Sequence, residues 1–512
     1  MIVTKEVQNQ SAGDLSAIPA VVPNLIGGAD ALAMDGRTFA KLDPATGREV
    51  CRVARSSAAD VALAVEAAKR AQPAWAALTV VKRGDILRQI ALLMRERRSL
   101  IADLVSRETG KSKKDALGET DAAIEMGFFV AGEGRRYYGQ TTTSAVPHKA
   151  AMIVRQPLGV AGLIIAANTP IANVAWKAFP ALLCGNSAIL KAAEDTPLSS
   201  YHLVQILTDA GLPAGVVNLV SGDGPNAGAP LASHSDVPVV SFTGSTGVGR
   251  LIAQACAPDF KHCSLEMGGK NIIIVMDDAN LDLAVDGAIW GGFGTSGQRC
   301  TAASRIALHK SVYHEFISRF VARAKKLRVG NGLDADVDMG PCINEQQLKT
   351  VMDYVQIGKN EGAKLLSGGH RLTDGACAKG WFHEPTIFGD CNPRMRVAQE
   401  EIFGPVVSVV PIGSFEEAIE VANGVPYGLS ASIYTRNVNR AFEATRDLFT
   451  GIVYINAPTI GAETHLPFGG TKQTGNGHRE AAIAAIDFYT EWKTVYIDYS
   501  DKLQRAQIHN AE

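Results

Sequence analysis

Apolar residues at Ala58, Val61, Ala62, Val65, Ala68 and Ala71 recur every three or four positions, which places them on one helical face. Trp75 follows just after Pro73. The same period returns over 83–95 and 100–109, and a further helix is predicted over 115–137, closing in the polar run 132–136. From 138 the pattern changes. Residues 138–157 are mostly polar, with alternating Ala, Met and Val near their end, and predict a hairpin that leaves the body of its domain. Residues 159–166 are a short apolar run of the buried-strand type. Helix 171–181, strand 187–191, helix 199–210, strands 216–220 and 238–242, and helix 247–255 follow. Strands alternating with helices predict a parallel α/β sheet covered on both faces.

After Lys270 the alternation restarts: strand 271–276, helix 281–291, strand 305–309, helix 312–327. This restart is the best domain boundary in the chain. The tail 490–499 alternates and is rich in β-formers, but no partner strand lies near it in sequence. It is expected to add to a sheet edge, of this or another subunit.

A chain of 512 residues exceeds one ordinary core and predicts two or three domains. A net charge of −2 leaves no positive field for nucleic acid or anionic lipid, so neither is expected as a partner. Residues 1–23 lack the apolar core of a signal peptide, and no apolar run approaches the roughly 18–20 residues of a membrane span. The expected location is the cytoplasm. None of the eight cysteines forms a C-x-x-C pair, so no metal or dithiol site is expected. Seven of them read as small buried hydrophobes.

The eighth is Cys300, in Gly297-Gln298-Arg299-Cys300-Thr301. Small residues before it let backbone and ligand approach the sulfur. A thiol attacks a carbonyl as the thiolate, and backbone donors or Arg299 would lower its pKa unless Arg299 points away. Glu266 stands between Leu265 and Met267 at a strand end, before Gly268-Gly269-Lys270. An acid so placed suggests a pocket base, acting on the thiol or on water, against the commoner surface charge. Asn168 is either a turn residue before Pro170 or an oxyanion donor beside the Cys300 N–H. Phe242-Thr243-Gly244-Ser245-Thr246-Gly247-Val248-Gly249 joins strand to helix. It is a plain turn or a phosphate cradle, though neither a G-x-G-x-x-G nor a Walker loop. Lys191 and Glu194 end a strand, as ribose ligands or as a solvated ion pair.

Taken in order, these motifs resemble the NAD(P)-dependent aldehyde dehydrogenase superfamily over about 43–503, together with Glu400-Glu401-Ile402-Phe403-Gly404-Pro405-Val406 and Pro467-Phe468-Gly469-Gly470. The resemblance implies an α/β fold in three parts. They are a Rossmann-like cofactor domain (1–137 and 158–267), an α/β catalytic domain (268–455) and a small β oligomerisation arm (138–157 and 485–512). Residues 456–484 form a substrate and anchor loop that returns to the cofactor domain. It further implies that Cys300 attacks an aldehyde to give a thiohemiacetal, with the oxyanion held by Asn168 and the Cys300 N–H. Hydride passes to a nicotinamide, and Glu266 activates the water that releases free acid from the thioester.

Lys177 and Glu480 match a proton-relaying pair. Ile164, Lys191, Glu194, Gly224, Phe242, Gly244, Ser245, Gly268, Glu401 and Phe403 match cofactor contacts. Glu194 favours NAD, with NADP as the alternative. Thr169, Trp176, Arg299, Thr301, Thr459 and Phe468 match a substrate pocket. Homodimers or homotetramers are implied.

Thr169 stands where many relatives carry an aromatic ring, and Met267 replaces a common Leu. Residues 456–463 and 475–480 resemble semialdehyde-oxidising branches, including enzymes of 2-oxoglutarate semialdehyde. No Arg stands out for a substrate carboxylate, which leaves aromatic aldehydes open. Two other readings compete. A CoA-acylating relative is opposed by Glu266. A catalytically silent structural or binding homologue is opposed by the joint presence of Cys300, Glu266 and Asn168.

Overall fold

The computed structural model describes residues 18–505. Residues 1–17, most of the segment read above as lacking a signal peptide, and 506–512, the end of the expected arm, lie outside the described residues.

The apolar runs pair into two seven-stranded sheets. In the first, Val160–Ile164 lies between Val239–Thr243 and Ser187–Ala192. His262–Glu266 continues one side and Val217–Ser221 the other, all parallel. An antiparallel hairpin, Asn24–Ile26 and Ala29–Ala31, extends the Val217–Ser221 edge. The first of the five parallel strands thus sits where the winding reverses. There a doubly wound, Rossmann-like sheet opens a crevice beyond its carboxyl ends.

The second sheet centres on Asn271–Val275, between Ala303–His309 and Ser430–Tyr434. Val406–Ile412 and Thr386–Gly389 lie on one side and Ile452–Ile455 on the other, all parallel, with Lys364–Ser367 as an antiparallel edge. The chain leaves the first sheet at Glu266 and enters the second at Asn271. Residues 267–270 therefore join the carboxyl edge of one sheet to the amino edge of the other.

Helix Ala58–Ala77 runs through Pro73, and Trp75 anchors its last turn by donating from Nε1 to the Leu182 carbonyl at 2.9 Å. The helix expected to reach 137 is Lys113–Glu133, and it stops between Gly132 and Gly134, where glycine weakens the last turn. Among the described residues no helix is long and apolar enough to cross a membrane.

The tail strand Thr490–Asp498 pairs antiparallel along its whole length with Lys149–Pro157, which also carries Gln140–Thr143. Arg155 locks this pairing. It donates to Thr490 Oγ1 at 2.9 Å, ion-pairs with Asp487, and lies 4.0 Å over the Trp492 ring. Arg155→Ala is expected to loosen the tail at a cost of about 1–2 kcal/mol. Limited proteolysis near residue 490 should quicken; an unchanged cleavage rate would contradict this role.

Candidate active site

The joint between the sheets carries the chemistry. Asn271 opens the second sheet, and its Nδ2 donates to the carbonyls of Cys300 at 2.7 Å and Ala302 at 2.9 Å. The cysteine loop is thereby tied to the segment that follows Glu266. Before Cys300, Thr295, Ser296 and Gly297 all take positive φ (53°, 56° and 68°). A Cβ on Gly297 would collide with the Gly404 carbonyl, so the small residues serve a close approach of the chain to itself.

Cys300, Glu266 and Asn168 line one cavity of about 900 Å3, with Thr169, Trp176, Arg299, Thr301, Phe468 and Glu480. Trp176 and Phe468 pack edge-to-face, centroids 5.0 Å apart. Thr169 makes a polar contact at the cavity: its hydroxyl accepts from Asn173 Nδ2 at 2.7 Å. Thr459 does not line the cavity. It is fully buried and donates to the Thr301 carbonyl at 2.7 Å, while Ile460, Gly461 and Ala462 form the wall. A hydroxyl sealed from water takes the nearest backbone acceptor, and this one faces inward.

Arg299 does not lower the pKa of the thiol. Its guanidinium is engaged by Thr295 Oγ1 at 2.8 Å and Asp115 at 3.2 Å. Burial, with the charges of Glu266, Glu401 and Glu480, pushes Cys300 up to about 12. Such a shift favours the thiol over the thiolate at rest.

Glu266 is 3 % exposed, no side chain hydrogen-bonds its carboxylate, and the Gly470 backbone N–H is turned toward it. Burial and then Glu480 hold its carboxyl well above the usual range, against Lys177 and Arg479. Lys177, fully buried, ion-pairs with Glu480 and donates to Ser241 Oγ at 2.8 Å. Glu480 is fixed through paired backbone hydrogen bonds with Phe468, each 2.7 Å.

Ile164, Lys191 and Phe242 occupy one row across three strands, Ile164 pairing with both others. Just past the strand ends come Glu194, Gly224, Gly244, Ser245 and Gly268. Lys191 Nζ lies 3.1 Å from Glu194. Ser245 caps helix Thr246–Cys256, its Oγ accepting from the Val248 N–H at 3.3 Å. A Cβ on Gly268 would strike the Glu401 carboxylate, whose Oε1 accepts from the Gly269 N–H at 2.9 Å. Burial pushes Glu401 up to about 7. Phe403 sits at φ 56°, its carbonyl accepting from Gln347 Nε2 at 3.0 Å.

Three residues went unseen in the sequence: Asp115 and Glu119, which line the cavity, and Lys111, buried against the Asn168 turn. Lys111 Nζ donates to the Asn168 carbonyl at 2.6 Å, and Glu119 accepts from the Ile171 N–H at 2.9 Å. Their only sequence signal is charge in a polar stretch, which normally marks a solvated face.

The aldehyde dehydrogenase family profile matches residues 32–495. The chain belongs to the aldehyde dehydrogenase family. It is 42 % identical over 445 residues to the alpha-ketoglutaric semialdehyde dehydrogenase of Bacillus subtilis (strain 168), covering 87 % of this chain and 91 % of that protein. PnpE from Pseudomonas sp. WBC-3, solved with nicotinamide adenine dinucleotide, superposes with a TM-score of 0.92 at 38 % identity, covering 94 % of this chain and 98 % of that one. Betaine aldehyde dehydrogenase from Staphylococcus aureus, solved with NAD+, gives 0.93 at 32 % identity over 97 % and 98 % of the two chains.

If the Glu266 carboxyl, held so high, serves as a base, activity is expected to climb with pH. The carboxyl of Glu266 accepts a proton only once ionised, so kcat is expected to rise as pH passes upward through its elevated pKa. A pH–rate profile of Glu266→Gln should lack that limb; an unchanged limb would assign it to another group.

Proposed function

We propose that this aldehyde dehydrogenase oxidises a semialdehyde of the 2-oxoglutarate semialdehyde class to the free acid, with NAD as hydride acceptor. One observation carries the reading: Cys300, Asn168 and a buried Glu266 with no side-chain hydrogen bond meet on one cavity at the carboxyl edge of the first sheet.

The residues at that edge fit NAD. The capped N-terminus of Thr246–Cys256 offers N–H groups to a pyrophosphate. Gly244 and Gly268 stand where a Cβ would collide with Phe242 and Glu401, leaving backbone open to a ligand. Lys191 and Glu194 would take the adenosine ribose, and Glu401 and Phe403 the nicotinamide end. Bound there, NAD supplies the acceptor for the aldehyde's hydride.

The protein does the rest. Glu266 takes the thiol proton, and the sulfur adds to the aldehyde carbon. The Asn168 amide and the Cys300 N–H hold the oxyanion of the thiohemiacetal. Once oxidised, the substrate is a thioester on Cys300. Glu266, having first given up the thiol proton along Glu480 and Lys177, then deprotonates a water, which adds to the thioester and expels the sulfur as a thiolate. Lys177 and Glu480, bridged by Ser241, carry the proton off. A buried base favours hydrolysis over transfer to coenzyme A, and the complete set opposes a silent homologue.

The 42 %-identical relative and the polar Thr169 support a semialdehyde. A benzaldehyde is the second reading, favoured by the Trp176–Phe468 pair. The same reading assigns 1–137 and 158–267 to cofactor binding, 268–455 to catalysis, and 138–157 with 485–512 to a subunit contact. Exposure of Trp492, Tyr496 and Ile497 on the tail strand supports that contact in a dimer or tetramer.

Cys300→Ala should abolish oxidation while NAD still binds; surviving turnover would refute the nucleophile. Against an aldehyde panel, ω-carboxylated semialdehydes should exceed benzaldehydes in kcat/KM, and the reverse order would select the second reading. Glu194 should make NAD the better cofactor, since a carboxylate repels a 2′-phosphate. Comparable kcat/KM with NADP would contradict that role.

A further inference from the structure

The two halves of the proposed oxyanion site come from distant parts of the chain: the Asn168 turn beside the first sheet and the Cys300 loop before the second. One short segment, 111–119, holds both. Lys111 and Glu119 form an ion pair whose side chains are 1 % and 3 % exposed. Lys111 Nζ also donates to the Asn168 carbonyl at 2.6 Å. Glu119 Oε1 accepts from the N–H groups of Ile171 at 2.9 Å and Ala172 at 3.3 Å, the first turn of helix Pro170–Leu183. The Asn168-Thr169-Pro170 turn is therefore gripped on its carbonyl side and its helix side by one pair.

Between those two residues, Asp115 grips the other half. Its Oδ2 accepts from the Thr295 N–H at 3.0 Å, and its Oδ1 pairs with Arg299 at 3.2 Å. Asp115 is itself fixed by Ser112, whose hydroxyl accepts the Asp115 N–H at 3.2 Å. Thr295 and Arg299 flank the bend that presents Cys300.

We propose that Lys111, Asp115 and Glu119 are positioning residues that hold the Asn168 amide and the Cys300 N–H in register for one oxyanion. The inference rests on the oxyanion role given to Asn168 above. Its energetic logic is orientation: a buried ion pair with all its contacts made is rigid, and a shift of about 1 Å in a catalytic donor costs on the order of 100-fold in rate.

A double-mutant cycle tests it in the full-length protein. Glu119→Gln is expected to lower kcat about 10- to 100-fold, with aldehyde KM and NAD affinity changed less than about threefold. Asn168→Ala alone should lower kcat by about 100- to 1000-fold. Adding Glu119→Gln to Asn168→Ala should lower it less than about twofold further, because there is no amide left to position. A merely structural pair would instead multiply in full, or raise KM at constant kcat, and either result overturns the proposal. Should Glu119→Gln fail to fold, Asp115→Asn carries the test: its kcat should fall at least about fivefold at constant KM, and a native kcat overturns the proposal. An unchanged kcat in Asn168→Ala alone overturns the oxyanion reading itself, and this inference with it.

Discussion

Glu266 is enclosed with no side chain hydrogen-bonded to its carboxylate. An ionised carboxylate in such surroundings costs several kcal/mol, so the group favours its neutral form and binds a proton more tightly than an exposed acid does. Backbone bonds hold it there. The Glu266 carbonyl accepts from the Gly244 N–H at 3.1 Å, and the next amide, Met267 N–H, donates to the Thr474 carbonyl at 2.8 Å. The same burial raises the Cys300 thiol to about 12. A thiolate of high pKa is the stronger nucleophile once formed, and a base of high pKa is better able to form it. One enclosure raises both groups.

That enclosure exists because the two sheets meet edge to edge through residues 267–270. A parallel sheet opens its ligand crevice at its carboxyl ends, and the first sheet does so at Ile164, Lys191 and Phe242. The second sheet offers its amino ends at the same place, where Asn271 and Ala303 pair. Cys300 stands three residues before that pair, and Glu266 five before Asn271. The carboxyl edge of the first sheet and Cys300 are thus brought together by strand order, and the cavity beside them is closed by the return segment carrying Phe468 and Glu480.

Cys300, Glu266 and the strand ends were legible in sequence because each lies in a short local motif: glycines around the thiol, an acid inside an apolar strand, a Gly-Ser turn before a helix. The alternation of strands and helices likewise predicted a parallel α/β fold. What stayed hidden depends on contacts across the fold. Arg299 reads as a neighbour of the thiol until Asp115, 184 positions away, is seen to hold it. Thr459 shares a loop with cavity residues, but its hydroxyl turns inward to Thr301. Lys111, just before a helix, and Glu119, on it, look like solvent-facing charges, and only folding buries them. The tail strand predicted its own existence through alternation, whereas its partner lies over 330 residues back at Lys149–Pro157.

The central claim is that a thioester forms on Cys300 and that Glu266 is the base that clears it. Peptide mass spectrometry of Glu266→Gln, held for hours with NAD and 2-oxoglutarate semialdehyde so that the thiol can ionise slowly to solvent without its base, tests it most directly. The account predicts that the Cys300 peptide gains the mass of the acyl group and keeps it, while the native enzyme shows none. NADH formation with no acyl group on Cys300, or with the group on another cysteine, would contradict it.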